Sequence, residues 1–217
     1  MAAAAPTPPL RPGEAPTVLV IASGNAGKVR EFAHLLAGLP ITVRPQPEGL
    51  EVEETGTTFA ANARLKAQAV ARATGHWALA DDSGLAVDAL GGAPGVHSAR
   101  YADSDPARIA RLLRELDAAN RERLAAGLPA DRRARFTAAL AVADPAGTVR
   151  LEVQGECPGE ILAAPRGEGG FGYDPVFLVP EAALTFAEME KGLKGRIGHR
   201  GRAFALLEPK LRELFGS

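Results

Sequence analysis

The chain has 217 residues, of which 46% are hydrophobic and 24% are charged, with a formal net charge of -1 at pH 7. This composition is that of an ordinary globular protein and excludes disorder as the main state of the chain. The near-neutral charge excludes a whole-protein basic field, so we expect no nucleic-acid partner, although a local basic pocket can still bind a free nucleotide. The single cysteine, Cys157, excludes a disulfide framework and a cysteine-rich zinc site, and it fits the reducing cytoplasm.

The first 16 residues form an Ala/Pro-rich segment, which we predict to be a disordered tail outside the fold. This segment lacks the basic region and the continuous apolar run of a signal peptide. No stretch of the sequence approaches the roughly 20 apolar residues that span a bilayer, so we expect no membrane partner. Residues 17–217 are expected to form one domain.

The first third of that domain alternates between strand and helix patterns. Residues 17–22 form a short β-branched run that predicts a buried strand, and a loop at residues 23–28 leads into a helix that ends at Gly38. A second strand is predicted at residues 41–44, and an Ala-rich helix bounded by glycines at residues 58–74.

The middle of the chain is richer in strand patterns. Residues 77–80 predict a strand that runs into a turn at residues 81–84, and residues 85–90 predict another short strand. A helix is expected from Pro106 to Leu116, with Asp105 as its N-cap.

The last third predicts two antiparallel strands, a further strand and a closing amphipathic helix. These elements are predicted at residues 134–143, 148–155, 175–179 and 199–214. The whole pattern indicates a mixed α/β protein.

The loop between the first strand and the first helix is a candidate anion site. A helix N-terminus presents unsatisfied N–H groups and a partial positive charge, which favour an anion. Ser23 and Asn25 offer neutral hydrogen bonds, and Lys28 offers a charge suited to phosphate. Gly24 and Gly27 let the backbone approach a ligand closely. The alternative is a plain turn with a solvated lysine, and the spacing is not that of a Walker P-loop.

Carboxylates in separate segments form a candidate metal site. Asp81 and Asp82 end a predicted strand, where successive side chains point to opposite faces, so one can face a cleft while the other supports the turn. Glu53 and Glu54 lie in a loop long enough to reach the same place. Such oxygen ligands suit Mg²⁺, which takes one or two carboxylates together with phosphate oxygens and water. The alternatives are N-capping or turn formation for the Asp pair and a solvated acidic loop for the Glu pair.

Asn62 and Lys66 are four residues apart and therefore share one face of the Ala-rich helix. The pattern leaves two interpretations of Lys66 open. The lysine either contacts a triphosphate or is simply solvated.

The late loops form a candidate base pocket. Residues 167–174 place glycines around two aromatic side chains, which leaves a ring face available for stacking, and Asp174 can accept a hydrogen bond from a base. Lys194, His199 and Arg200 concentrate positive charge near the start of the last helix, where it opposes the helix dipole unless an anion is bound. The alternatives are aromatic side chains that fill the core and a solvated basic loop.

These candidate residues fall within seven short motifs. The motifs are Ser-x-Asn-x-x-Lys (23–28), Thr-Gly-x-Thr-Phe (55–59), Asn-Ala-x-x-Lys-Ala (62–67), Asp-Asp-Ser-Gly-Leu-x-Val-Asp (81–88), Gly-Gly-x-Pro-Gly-Val-His-Ser-Ala-Arg-Tyr (91–101), Gly-Phe-Gly-Tyr-Asp-Pro (170–175) and His-Arg-Gly-x-Ala (199–203). As an ordered set over about residues 17–215, they resemble the inosine triphosphate pyrophosphatase family, also called XTP/dITP diphosphatases.

The resemblance implies a mixed central sheet flanked by helices, in two lobes with a substrate cleft between them. It also implies a homodimeric, Mg²⁺-dependent enzyme that hydrolyses ITP, dITP and XTP to the monophosphate and pyrophosphate. Carried over by position, Asp82 is the catalytic proton acceptor, and Glu53 and Asp82 are the metal-linked carboxylates. The implied substrate-binding residues are Ser23, Gly24, Asn25, Ala26, Gly27, Lys28, Ser83, Phe171, Gly172, Tyr173, Asp174, Lys194, His199 and Arg200.

The chain departs from the family pattern at two positions. Ala61 stands where the family often has Glu, and Gly198 stands where the family has Ser. Two other functions stay open at this point. One is a pyrophosphatase of the septum-formation inhibitor type, which acts on pyrimidine or modified nucleotides, and the late aromatic and His-Arg motifs argue against it. The other is a sensor that holds ITP without cleaving it, which Ala61 favours and the retained Asp82 and Ser83 oppose.

Overall fold

A computed structural model describes residues 17–216, so the tail predicted at residues 1–16 lies outside the described residues. Within residues 17–216, the strands are β1 (Thr17–Ile21), β2 (Ile41–Pro45), β3 (Trp77–Val87), β4 (Arg133–Ala143), β5 (Val149–Ile161), β6 (Phe177–Val179) and β7 (Leu184–Thr185). The α-helices are α1 (Ala26–Leu35), α2 (Phe59–Thr74), α3 (Asp105–Ala125), α4 (Lys191–Ile197) and α5 (His199–Phe215).

The strands form one seven-stranded sheet in the order β2-β1-β3-β4-β5-β6-β7. β1 runs parallel to both β2 and β3, with Thr17 opposite Ile41 and Leu19 opposite Trp77. β6 runs antiparallel to both β5 and β7. The sheet is therefore mixed, and the predicted class of a mixed sheet flanked by helices is confirmed.

Local capping explains why α2 begins and ends where the sequence predicts. The Thr58 side chain accepts a hydrogen bond from the Ala61 amide at 3.1 Å, which satisfies one free N–H of the first turn. At the other end Gly75 adopts a left-handed conformation with φ of 68°, which a glycine reaches without a steric penalty. The bounds of α2 are thus set by hydrogen bonds and backbone conformation within its first and last turns.

Two predicted elements near the candidate site are wrong in detail, and β5 continues to Ile161, beyond its predicted end at residue 155. Residues 81–84 are not a turn between two strands, because β3 runs without interruption from Trp77 to Val87. The strand can carry two aspartates because each carboxylate has a lysine partner, as described below. The second error concerns α3, in which Asp105 is the first helical residue and Ser104 is the N-cap, and the helix continues to Ala125.

The chain divides into two compact units. The first comprises residues 17–82, 139–154 and 203–216 of the described chain, and the second comprises residues 83–138 and 155–202. The first unit has a core of small side chains, mostly alanines of α2, β3 and β4, and small side chains allow close approach of a helix to a sheet.

The second unit has a core rich in aromatic side chains, among them Phe136, Phe177 and Phe186. Cys157 is a free thiol buried in the same core. Burial raises the pKa of this thiol to about 11, so it is a structural side chain rather than a reactive one.

Candidate active site

In the first unit, the loop predicted to bind phosphate lies at the N-terminus of α1. The Asn25 side-chain oxygen accepts hydrogen bonds from the amides of Gly27 at 2.8 Å and Lys28 at 3.2 Å. The Ser23 hydroxyl accepts one from the Asn25 amide at 3.1 Å. The loop is therefore held in shape by its own polar side chains, with Gly24, Asn25, Ala26 and Gly27 exposed to solvent.

A pocket of about 580 Å³ adjoins this loop, a volume in the range of small-molecule sites. It is lined by Ser23, Gly24, Ala26, Val29, Arg30 and residues 45–51, which comprise the last residue of β2 and the loop after it.

Lys28 is not simply solvated. Its Nζ lies 2.7 Å from Asp81 Oδ2, and the Asp81 side chain is only 1% exposed. Lys28, the cation of the predicted phosphate site, therefore forms an ion pair with Asp81, the first of the two adjacent aspartates.

A second lysine contacts the neighbouring aspartate. Lys66 Nζ lies 3.0 Å from Asp82 Oδ1, 2.8 Å from Glu54 Oε1 and 2.8 Å from the backbone oxygen of Asp81. This geometry excludes the solvated interpretation of Lys66. The Lys66 ammonium group therefore links Glu54, in the acidic loop that carries Glu53 and Glu54, to Asp82, the second residue of the aspartate pair.

Asn62 completes the contacts of Asp82 in the first unit. Its amide nitrogen donates to Asp82 Oδ2 at 3.2 Å, and its amide oxygen accepts from the Gly56 N–H at 2.7 Å. Asn62 is fully buried. A Cβ on Gly56 would lie 2.8 Å from the Ala61 Cβ, so the acidic loop packs directly against the position where the family often has Glu.

The protonation equilibria of this group follow from burial and charge. Burial raises the pKa of Asp82 above its ordinary value, and the charge of Lys66 offsets only part of that rise. Burial opposes the positive charge of Lys66, but Asp82 and Glu54 together outweigh burial and raise its pKa. The Asp82 carboxylate is thus a stronger proton acceptor than an exposed aspartate.

The acidic residues fit a magnesium ion only if the ion arrives with phosphate. Two lysines and three carboxylates give the group a formal charge of -1, so a triphosphate would meet net repulsion without a further cation. Across residues 17–216, no set of three or more His, Cys, Asp and Glu side chains is arranged to hold a metal. Mg²⁺ needs only one or two carboxylates when phosphate oxygens and waters complete its ligands.

The carboxylate of the acidic loop that lies nearest to Lys66 is Glu54. The predicted metal-linked residue, Glu53, is an exposed side chain in the same loop. Neighbouring residues in an extended loop point in different directions, and the sequence alone does not decide which one turns toward Asp82.

In the second unit, the aromatic loop (residues 167–174) exposes one ring and buries the other. Phe171 is 58% exposed, whereas Tyr173 is buried, and its hydroxyl donates to the Ser98 backbone oxygen at 2.9 Å. The Phe171 amide donates to Asp174 Oδ2 at 2.9 Å. The exposed ring can therefore stack on a ligand, as the sequence predicts for this loop.

Cationic side chains surround the exposed ring. Lys194 forms an ion pair with the buried Asp174, and its Nζ lies 5.1 Å from the centroid of the Phe171 ring. The Arg200 guanidinium lies 5.9 Å from the same centroid and donates to the Ser83 hydroxyl at 2.8 Å. The second unit thus brings Ser83, Lys194 and Arg200 together with the aromatic loop.

His199 lies in the aromatic core of the second unit. Its ring stacks on Phe136, with centroids 4.8 Å apart and an interplanar angle of 17°. It also lies over Phe186, with centroids 6.0 Å apart. Because the imidazole is buried among rings, it has a packing role in addition to any contact with a ligand.

Asp105 was predicted only as a helix cap, and its contact with the aromatic loop was missed. Its Oδ2 accepts a hydrogen bond from the Gly172 amide at 2.7 Å. The two residues are 67 positions apart, so no local pattern could reveal the contact. One signal in the sequence could have indicated this contact. Ser104 already caps the helix, so the acidic side chain of Asp105 is available for another partner.

Comparisons with known proteins place the chain in a family. The sequence profile of the Ham1 family matches residues 19–210. A protein of Synechococcus sp. (strain CC9311) named dITP/XTP pyrophosphatase is 64% identical over 197 residues, covering 91% of this chain and 91% of that protein. A protein of the same name from Gloeobacter violaceus (strain ATCC 29082 / PCC 7421) is 58% identical over 185 residues, covering 85% of this chain and 89% of that one.

Solved structures give the same result. A HAM1 protein from Coxiella burnetii superposes with a TM-score of 0.83 at 42% identity, covering 91% of this chain and 99% of that one. A nucleoside-triphosphatase / dITP/XTP pyrophosphatase from Mycobacterium abscessus superposes with a TM-score of 0.70 at 38% identity, covering 89% of this chain and all of that one. The resemblance predicted from the motifs is confirmed, and the chain belongs to the Ham1 family.

Proposed function

We propose that this protein hydrolyses the deaminated purine nucleotides dITP, ITP and XTP to the monophosphate and pyrophosphate. The observation that carries the proposal is the buried Asp82 carboxylate, held by Asn62 and Lys66 in a chain whose relatives are named dITP/XTP pyrophosphatases. In the reaction a water oxygen bonds to the α-phosphorus, the bond from that phosphorus to the bridging oxygen breaks, and the bridging oxygen leaves on pyrophosphate.

In this proposal Asp82 accepts the proton of the attacking water. Burial raises the pKa of Asp82, which favours proton acceptance, and the charge of Lys66 opposes part of that rise. Lys28 and the positive end of the α1 dipole attract phosphate oxygens. These groups need no covalent chemistry of their own, because phosphoryl transfer depends mainly on positioning and charge stabilisation.

The proposed magnesium ion would be held by Asp82 and a carboxylate of the acidic loop. When bound, it supplies positive charge to the phosphate oxygens as pyrophosphate departs. Glu54 is the better placed candidate because it shares Lys66 with Asp82, and Glu53 remains the candidate indicated by the resemblance.

We propose that the second unit recognises the base of the nucleotide. We propose that a purine stacks on Phe171 and that its 6-oxo group accepts from the donors among Lys194, His199 and Arg200. Adenine presents an amino donor at that position and would leave those donors unpaired. An unmade buried hydrogen bond costs about 1–3 kcal/mol, so two such contacts give a discrimination of about a hundredfold.

The cytoplasm and a homodimer complete the proposal. The cytoplasm is supported by the single, free cysteine, since a reducing compartment does not use disulfides. The homodimer rests on the family resemblance and is tested by light scattering during gel filtration. Among residues 17–216, no helix is long and apolar enough to cross a bilayer.

The test is pyrophosphate release with Mg²⁺ across dITP, ITP, XTP, ATP, GTP, dTTP and UTP. Asp82→Asn removes the proton acceptor, and Asp103→Asn, at an exposed site, is the matched control for loss of one carboxylate. We expect Asp82→Asn to lose about a hundredfold or more in kcat with dITP while the control stays within about twofold. Chelation by EDTA is expected to abolish turnover, and added Mg²⁺ to restore it.

The outcomes separate the candidate functions. Preference for dTTP or UTP would indicate the septum-formation inhibitor type of pyrophosphatase. A sensor would be indicated if ITP bound tightly and the wild type and Asp82→Asn released pyrophosphate equally slowly. Either result overturns the proposal.

A further inference from the structure

The backbone on both sides of Phe171 is held by carboxylates. The amide that precedes its Cα donates to Asp174 Oδ2 at 2.9 Å, and the amide that follows, on Gly172, donates to Asp105 Oδ2 at 2.7 Å. Because both flanking peptide groups are fixed, the direction in which the Phe171 side chain leaves the backbone is fixed as well. The exposed ring therefore has a defined orientation although its side chain is not packed in the core.

The two carboxylates differ in what else they bind. Asp174 belongs to the aromatic loop itself and forms an ion pair with Lys194, a side chain already proposed to contact the substrate. A ligand that engages Lys194 therefore disturbs that anchor. Asp105 lies outside the loop, on α3, and provides an independent attachment.

Asp105 is itself oriented by the start of α3. Its Oδ1 accepts from Arg108 Nη1 at 2.6 Å, and Arg108 Nε donates to the Ala102 backbone oxygen at 2.9 Å. The Ser104 hydroxyl caps the helix by accepting from the Ala107 amide at 3.3 Å. A carboxylate in the first turn is also favoured by the helix dipole. The capped helix end thus holds the carboxylate that holds Gly172.

Gly172 adopts a left-handed conformation with φ of 60°, which a glycine reaches without the penalty that a side chain would add. This conformation turns the chain sharply between the exposed Phe171 and the buried Tyr173. The hydrogen bond from the Gly172 amide to Asp105 restricts the backbone torsions at Gly172, which a glycine would otherwise leave free to vary.

We infer that Asp105 is a positioning residue for purine recognition, because through the Gly172 amide it holds the Phe171 ring in the orientation on which a purine stacks. The inference rests on the proposed function, since it requires a purine substrate. Asp105 contacts no reacting atom, so its loss weakens substrate binding and leaves the chemical step unchanged.

The experiment measures pyrophosphate release from dITP by the full-length wild type, Asp105→Ala, Asp105→Asn and Asp103→Ala. We expect Asp105→Ala to raise KM about fivefold to tenfold with kcat within about twofold, the signature of lost binding that is equal in ground and transition states. Asp105→Asn retains an oxygen that can accept from Gly172 and is expected to stay within about twofold of wild type. Asp103→Ala, an acidic-to-alanine change at an exposed site in the same segment, is expected to leave KM unchanged.

A double-mutant cycle with Phe171→Ala distinguishes positioning from a general loss of structure. If Asp105 acts through the ring, the Asp105→Ala/Phe171→Ala double variant has the KM of Phe171→Ala alone. The inference would be overturned if the effects of the two substitutions on KM multiplied in the double variant. It would also be overturned if Asp105→Ala had the same KM as Asp103→Ala. The proposed function would stand in both cases. A wild type that releases no pyrophosphate from dITP overturns the proposed function and this inference together.

Discussion

Lys66 Nζ lies 3.0 Å from Asp82 Oδ1 and 2.8 Å from Glu54 Oε1, so one ammonium group stands between two carboxylates that would otherwise repel each other. The side chains of Lys66 and Asp82 are only 13% and 12% exposed, and solvent screens this contact weakly. Burial raises the pKa of Asp82, the residue proposed to accept the proton, and Lys66 opposes part of that rise.

The first prediction concerns Lys66→Met. Lys66 lowers the pKa of Asp82, whereas burial and Glu54 raise it, so removing the ammonium raises that pKa further. Asp82 must be charged to accept a proton, and we expect the acidic limb of the pH profile of kcat/KM to move to higher pH. Arg64→Met, which removes an exposed cation from the same helix, is the control and should leave the limb in place. An unmoved limb in Lys66→Met would contradict the prediction.

The second prediction concerns Asn62→Ala. The change leaves the half-buried Gly56 amide without its acceptor and removes a donor from the buried Asp82 Oδ2. We expect the free energy of unfolding to fall by about 1–3 kcal/mol, measured by urea denaturation. Gln68→Ala, which loses one half-buried hydrogen bond to the Gly147 backbone on the same helix, should cost less. Equal costs for the two variants would show that the Asn62 bridge adds no more stability than the single hydrogen bond of Gln68.

The third prediction compares two glycines of the α4–α5 segment. A Cβ on Gly201 would overlap the backbone oxygen of Gly195, whereas a Cβ on Gly195 itself meets nothing within 4 Å. Gly201→Ala is expected to destabilise the protein by about 1–3 kcal/mol and, because it adjoins Arg200, to raise KM for dITP. Gly195→Ala lies in a helix and is expected to be neutral or to stabilise by up to about 1 kcal/mol. Thermal unfolding of both variants checks the pair, and a stable Gly201→Ala would refute the close approach.

The space available to an added Cβ also decides the effect of Gly198→Ser, which introduces the serine of the family pattern. A Cβ there would lie 2.5 Å from the Lys194 backbone oxygen, so the substitution forces α4 to shift. The departure from the family pattern therefore accompanies a tight backbone contact rather than an empty space for a hydroxyl.

The fourth prediction concerns acid stability. Hydrogen bonds from Arg133 lower the pKa of Asp131 from its ordinary value to about 2. A depressed carboxyl pKa stabilises the fold above the unfolded value, and this contribution disappears as the pH falls from about 4 to about 2. Arg133 is 71% exposed, so we expect Asp131→Asn to cost only about 0.5–1 kcal/mol at pH 7.

Urea denaturation of wild type and Asp131→Asn between pH 7 and pH 2 tests this window. The two curves should converge near pH 2, while Asp103→Asn controls for the loss of one acidic charge. A difference that persists unchanged at pH 2 would mean that the cost of Asp131→Asn is not electrostatic.

Elements set by neighbouring residues could be predicted from the sequence. Helix α2 was located correctly because Thr58 and Gly75 act within one turn of its ends. The family could be recognised because its motifs recur in order. The turn predicted at residues 81–84 failed because the stability of β3 there depends on lysines far away in the chain.

The candidate site shows the same division. The residue types of the acidic loop could be identified, but which glutamate faces Lys66 depends on a backbone path that local preferences do not specify. The contact between Asp105 and Gly172 depends on how α3 meets a loop 67 positions later. Such contacts arise from tertiary packing, and no periodicity in the sequence encodes them.

The burial of Cys157 makes the protein convenient for site-specific labelling. Its thiol is fully buried, and burial raises its pKa to about 11, so almost no nucleophilic thiolate exists at neutral pH. Because the sequence has no other cysteine, a maleimide dye would react at a cysteine introduced on the surface and nowhere else. Fluorophores could then report nucleotide binding without prior removal of a native thiol.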